Sequence, residues 1–542
     1  MRQTLTGIFI VCILIAGGCA ERSPQAVLTP IEHRVSVTGG IVKGITIDGD
    51  LRTYQAIPYA APPVGKLRWA PPAPPEPWGG VLAADRAGPA CMQPEGLGGE
   101  FYGESDVEMD EDCLLLNVWT RAEHQEDSLP VMVWVHGGGL LTGQGAAYPG
   151  DLLTSKGVVL VTVNYRLGRF GFFAHPELTD EHPNKVSGNQ GLRDQIASLK
   201  WVRDNIARFG GDPQNVTIFG ESAGSLSMSL LQASPLARGL FHKVIGESGG
   251  AFQPMTYRDQ VKSYSPIHSE AIGEKFGRAL SKNKKNISLR EMRAYSQDEL
   301  MEAFSSDPIF GDYNHLAIVD GEVIPEEVAT IFAKGLQSDV PVMIGSNSDE
   351  GTAFIPIFQT LFGQGVEGFR KFVESSSLSG VASDKIAEEY PSDNDEQAED
   401  SWARLMADEV FTYPMRAWAR SMENVESEAY LYWFTWVPPV EDRQKLGSFH
   451  AAELGYVFGN LELFGAKPAE ADRQFSDLMA SIWTQFAKTG NPNGPGLPEW
   501  QPYTSDNEAY VELGVNTGPA SELRIAKMDL IENAWQLRRS RP

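Results

Sequence analysis

Leu129 to Val135 reads Leu-Pro-Val-Met-Val-Trp-Val, a continuous apolar run of the kind made by a strand buried on both faces. Val158–Val163, Asn215–Phe219, Lys243–Ile245, Val340–Ile344 and Ala429–Phe434 are further strand candidates. Between them the period changes. Leu192, Ile196, Leu199, Val202, Ile206 and Phe209 recur every three or four residues, one face of a helix, which Gly210-Gly211 and Pro213 then stop. Ala223–Ala233 reads as a second helix, and Phe475, Leu478, Met479, Ile482, Trp483 and Phe486 mark a late one ended by Gly490 and Pro492. Val35–Ile57 carries short β-type runs, and the prolines of residues 58–78 imply an irregular surface path. Strands alternating with helices predict an α/β fold with a large, mostly parallel central sheet flanked by helices. No repeat of 20 to 50 residues is seen. No linker divides the body, so residues 34–537 are expected to form one domain. Residues 355–425 follow no clear period, and the acidic stretch Ser392–Asp400 reads as a solvated loop or helix end.

The beginning of the chain follows another pattern. Met1-Arg2 is followed by the apolar run Ile8–Ile15 and then by Ala16-Gly17-Gly18-Cys19. The run is well short of the about 20 apolar residues that span a bilayer. Residues 1–19 are therefore expected to be an export signal of the bacterial lipoprotein type, with Cys19 the acylated first residue of the mature chain. Ala16 stands where such signals usually carry Leu. Residues 20–33 read as a tether. The expected location is periplasmic, or anchored to the outer membrane by lipid alone. Export implies an oxidising compartment, and the mature body keeps two cysteines, Cys91 and Cys113.

Composition narrows the partners. The 542 residues carry 45 Lys and Arg against 71 Asp and Glu, a net charge of −26. That surface repels phosphate backbones, so nucleic acid is a poor partner. With 42% apolar and 21% charged residues the chain is ordinary globular material. No C-x-x-C and no His-x-x-x-His is present, so no zinc site is legible, and no cofactor is expected.

Two segments match G-x-S-x-G, a pattern too short to prove anything alone. They are Gly220-Glu221-Ser222-Ala223-Gly224 and Gly246-Glu247-Ser248-Gly249-Gly250. A nucleophile elbow needs a strand before it and a helix after it, and the residue after the serine donates its N–H. Only Ser222 has that context; Ser248 runs into a turn. His136-Gly137-Gly138-Gly139 follows the strand that ends at Val135, and such a glycine loop can aim N–H groups at a developing oxyanion. Of nine histidines only His450 lies after His315, in a loop beyond the strand Ala429–Phe434, as a general base in this motif order requires. The acid would follow the strand Val340–Ile344, where Asp349 and Glu350 are adjacent; spacing does not choose between them.

These motifs, with Glu111-Asp112-Cys113-Leu114-Leu115-Leu116-Asn117, Asn164-Tyr165-Arg166-Leu167-Gly168, Phe209-Gly210-Gly211-Asp212-Pro213 and Tyr456-Val457-Phe458-Gly459-Asn460, resemble the type-B carboxylesterases. These are the esterase and cholinesterase-like branch of the α/β-hydrolases. The likeness runs from about Val35 to about Tyr503. It implies the α/β-hydrolase fold and a serine hydrolase of carboxylic esters of small molecules. It implies Ser222 as nucleophile, Glu350 as acid and His450 as base, with Gly138, Gly139 and Ala223 as oxyanion donors. It also implies a Cys91–Cys113 bridge and the ion pairs Arg166–Asp194 and Arg68–Glu111. The sequence departs from the cholinesterases, which carry a tryptophan between their first two cysteines; Phe101 and Tyr102 stand in that loop here, so a choline site is not expected. Alternatives on the same fold are a lipase or peptidase and a non-catalytic, neuroligin-like binding protein, against which Ser222 argues.

Overall fold

A computed structural model describes residues 28–94, 108–281, 285–305 and 316–540. Residues 1–27, with Cys19 and the expected signal, and the loop holding Phe101 and Tyr102 lie outside these.

The core is an eleven-stranded sheet. Its seven central strands are all parallel, in the spatial order Ala509–Leu513, Ala429–Phe434, Val342–Asn347, Lys243–Glu247, Gly211–Glu221, Leu129–Val135 and Val159–Val163. Antiparallel strands close it: Gly518–Ser521 at one edge, and Leu115–Thr120, Leu51–Pro58 and Ile45–Ile47 at the other. Strand residues alternate between faces. Val131, Val133 and Val135 enter one apolar cluster while Met132 and Trp134 enter another, so neither face meets water. The helix Gln190–Asn205 lays Leu192, Ile196, Leu199 and Val202 on the first face. The helix Glu470–Thr489 lays Phe475, Met479, Ile482, Trp483 and Phe486 on the second.

The strand expected over Asn215–Phe219 is longer, Gly211–Glu221: the glycines that stop the preceding helix lead straight into it. The stretch without a period holds helices Ile355–Phe362, Gly365–Ser375, Ser383–Glu389, Asp395–Ala407 and Tyr413–Ser421. They pack on one another and on the last helix, Ile525–Ser540, around Phe358, Phe369, Phe372 and Trp402. Partners on several sides leave no single apolar stripe. The acidic stretch begins a helix, with the Asn394 side chain accepting from the Gln397 N–H at 3.1 Å. The stretch assigned to the tether is docked at its end. Thr29 N–H donates to Glu126 at 2.8 Å, and Ile31 is buried because it fills space beside the Gly210 turn.

Cys91 and Cys113 form a disulfide across 22 residues. Closing a loop of that length stabilises by about 3 kcal/mol in the chain-entropy view. Both ion pairs form inside the protein. Arg166 Nε and Nη2 each donate to Asp194 at 2.7 Å, and Arg68 Nε donates to Glu111 at 2.8 Å. No helix among the described residues is long and apolar enough to cross a membrane.

Candidate active site

The strand Leu129–Val135 lies between Val159–Val163 and Gly211–Glu221, so the chain winds first to one side of it and then to the other. Open α/β sheets bind ligands at such a reversal, beyond the strands' carboxyl ends. The His136–Gly139 loop leaves the first of these strands there and Ser222 leaves its neighbour, with Val135 paired to Gly220.

Packing explains the glycines around Ser222. A Cβ on Gly224 would stand 2.1 Å from the Val135 carbonyl oxygen, and one on Gly220 at 2.5 Å. Only hydrogen side chains let the elbow turn against the neighbouring strand. Ser222 itself has φ 56° and ψ −120°, a conformation an L-residue holds only under constraint. The Ser222 N–H donates to the Glu247 carbonyl at 2.8 Å and the Leu226 N–H to the Ser222 carbonyl at 2.9 Å, fixing the turn to the sheet and to the helix Ala223–Ala233. Ser222 is half-buried at the helix N-terminus, and Ala223 is the first helical residue. Ser248 has φ 58° as well, but it is fully buried and its Oγ meets no hydrogen-bond partner.

Gly138 and Gly139 both have positive φ, 95° and 66°, and both reach solvent. The N–H groups of Leu141 and Thr142 donate to the Gly138 carbonyl at 2.9 and 3.0 Å and bend the loop back on itself. His136 anchors it. The ring stacks on Tyr165 with centroids 4.5 Å apart, and the Tyr165 hydroxyl donates to the His136 carbonyl at 2.9 Å. Burial pushes the His136 pKa down to about 4, so this imidazole is neutral near pH 7.

His450 is brought in by the loop after Ala429–Phe434, and its Nδ1 lies 2.6 Å from Glu350 Oε2. The other Glu350 oxygen accepts the Asn347 N–H at 2.8 Å. His450 Nε2 lies 3.1 Å from Oε1 of Glu221, the residue just before Ser222. Asp349 turns the other way: it accepts the Ser448 N–H at 2.9 Å, and its own N–H donates to the Ser448 carbonyl. Of the two adjacent carboxylates, Glu350 meets the imidazole and Asp349 ties down the loop that carries it.

Sequence reasoning missed the acids behind the imidazole. Glu221 and Glu247 are paired across parallel strands, and Glu453 lies one turn beyond His450; all are buried. Burial, then the charges of Glu221 and Glu350, push Glu453 up to about 8. Burial, then Glu453, raise Glu247 well above the carboxylate range, against a hydrogen bond from Trp483 Nε1 at 3.0 Å. The signal was the repeated G-E-S: two such segments on adjacent strands must set their glutamates side by side.

The sequence profile of the Carboxylesterase family matches residues 31–531. The chain is similar to fumonisin B1 esterase of Sphingopyxis macrogoltabida, 36% identical over 503 residues covering 90% of this chain and 87% of that one. It is similar to para-nitrobenzyl esterase of Bacillus subtilis, 36% identical over 510 residues, 91% and 98% of the two chains. Among solved structures, a carboxylesterase of Geobacillus stearothermophilus superposes with a TM-score of 0.79 at 29% identity, covering 93% of this chain and 100% of that one. A profile matched over nearly the whole chain, on an α/β-hydrolase sheet, with esterases as relatives, makes this protein a member of the carboxylesterase family and a carboxylic-ester hydrolase.

Proposed function

We propose that ester hydrolysis runs through Ser222, His450 and Glu350, with the oxyanion held by the N–H groups of Gly138, Gly139 and Ala223. The observation that carries this reading is the 2.6 Å contact of His450 Nδ1 with Glu350, which leaves Nε2 facing the elbow strand end. His450 takes the Ser222 proton at Nε2 as Oγ attacks the carbonyl carbon of a small-molecule ester. Glu350 keeps the imidazole in the tautomer that can accept that proton, and then stabilises the cation. The tetrahedral oxyanion accepts from the three backbone donors; in related sites losing one donor costs about 2.7–4 kcal/mol. His450 returns the proton to the leaving alkoxide, and the alcohol departs. Water attacks the acyl-enzyme by the same route and frees the acid. The test is labelling with a fluorophosphonate and turnover of a p-nitrophenyl ester. Wild type is expected to be labelled on Ser222; S222A is expected to lose labelling and turnover, while S248A keeps most of both. Label found on Ser248 of folded wild type would refute the assignment.

We also propose that residues 1–19 export the chain and that an acylated Cys19 holds it to a bacterial membrane. Mature wild type is then expected in the membrane fraction with a lipid-modified N-terminus, and C19A unprocessed. A wholly soluble wild type with a free N-terminus would refute the anchor.

A further inference from the structure

One face of the His450 imidazole is covered by a ring that forms no hydrogen bond with it. Phe411 is buried and stacks on His450 with centroids 4.3 Å apart and planes 29° apart. Phe354, on the turn after Glu350, lies 5.2 Å from the imidazole and 6.0 Å from Phe411, so the three rings form a triangle. Phe411 belongs to a π-helical turn, Asp408–Thr412, set between the helices Asp395–Ala407 and Tyr413–Ser421. Such turns carry an extra residue, are rare, and occur frequently at functional sites. This one is fastened just before Phe411, at Asp408 and Glu409. The Asp408 carboxylate accepts from the Tyr390 hydroxyl at 2.9 Å and from Arg524 Nη2 at 2.8 Å. The Glu409 carboxylate accepts the Ser377 N–H at 2.6 Å, and the Glu409 carbonyl accepts from Gln253 Nε2 at 2.9 Å.

We propose that Phe411 is a positioning residue for proton transfer, its π face fixing the plane of the His450 ring and lying against the cation that forms there in the transition state. This rests on the assignment of Ser222, His450 and Glu350 above. Glu350 and Glu221 meet the two ring nitrogens but do not set the plane of the ring about the line between them; a stacked face does. An aromatic face attracts a cation, more strongly where water is excluded. Other groups facing or backing the imidazole are Glu350, Glu221 and Glu453, with Glu247 behind them. On the π turn, Asp408 and Glu409 are engaged by the partners named above. None of these carboxylates changes when the electron density of one ring changes.

That independence defines the experiment. Phe411 is replaced in the full chain by 4-fluoro-, 3,5-difluoro- and 3,4,5-trifluorophenylalanine, which keep the ring's shape and progressively weaken its negative face. Both kcat and KM are recorded on one p-nitrophenyl ester. Across the series kcat is expected to fall about threefold to tenfold with KM within twofold. F411L should lower kcat with KM within twofold, and F411Y should keep most of kcat. A flat series, or activity lost through KM with kcat unchanged, overturns the proposal. Wild type that is labelled on Ser222 while the series stays flat sinks this inference alone; wild type that is not labelled sinks the triad and this inference with it.

Discussion

Beyond Asn347 two neighbouring carboxylates leave the backbone in different directions, and the difference sets what each can do. Glu350 reaches the imidazole, whereas Asp349 holds Ser448 and stands where a Cβ on Gly447 would collide with it. In the proposed triad, a neutral isostere at Glu350 would lose the charge that stabilises the imidazolium and would permit the wrong tautomer. E350Q is therefore expected to lower kcat by about 10²–10⁴. D349N keeps an oxygen for the Ser448 N–H and should cost less than about tenfold. Measuring kcat on one activated ester, after confirming that both variants are folded, decides the matter; a crippled D349N beside a near-normal E350Q would overturn the assignment. Sequence spacing left this choice open because both residues follow the same strand by nearly the same distance. Side-chain direction, which separates them, is set by the turn and is not carried by residue type. Glu221, Glu453 and Phe411 were hidden for a related reason, since a buried acid or phenylalanine looks in sequence like a solvated or core residue.

Elements were legible where one face decided their composition. The helix Gln190–Asn205 buries one stripe, and the central strands bury both faces, so a period of 3.6 and an unbroken apolar run announced them. The helices between Ile355 and Ser421 bury irregular patches against one another and against Ile525–Ser540, a partner more than a hundred residues away, and no local period records that. The elbow is the opposite case, a few residues whose identity is set by contact with another strand. G224A would press a Cβ against the Val135 carbonyl and push the elbow away from the His136–Gly139 loop. Overpacking of this kind typically costs about 1–3 kcal/mol. With Ser222 as the proposed nucleophile, displacing it by an ångström is enough to lose on the order of a hundredfold in rate. G224A is thus expected to melt a few degrees lower and to lose at least about a hundredfold in kcat/KM. A variant within threefold of wild type would show that the close approach is not needed.

For the molecule as a whole, charge sets a second constraint. A chain of net charge −26 also encloses Glu221, Glu247, Glu350 and Glu453 at the carboxyl end of its central strands, around one imidazole. Four ionised carboxylates so placed would repel one another in a medium that screens them poorly, and Glu453 and Glu247 are raised in consequence. Glu453, pushed up to about 8 by burial and by Glu221 and Glu350, makes the consequence measurable. Below the ordinary carboxylate value near 4.5 it is protonated in both the folded and the unfolded chain and contributes no pH dependence. As pH rises from there towards 8 the unfolded chain releases this proton and the folded one keeps it. The unfolded state then binds fewer protons, so stability falls with pH across that window and levels off above it. E453Q keeps an oxygen for Asn347 Nδ2, the present donor to Glu453, and is uncharged in both states. The Tm of E453Q minus that of wild type should therefore increase steadily between about pH 5 and pH 8. Glu247, raised by the same neighbours, titrates in both proteins and will blunt the difference without reversing it. Thermal unfolding of the pair at half-unit pH intervals tests this. A difference that stays constant, or shrinks towards pH 8, would mean that Glu453 is ionised in the folded protein and that the cluster is held by something other than a retained proton.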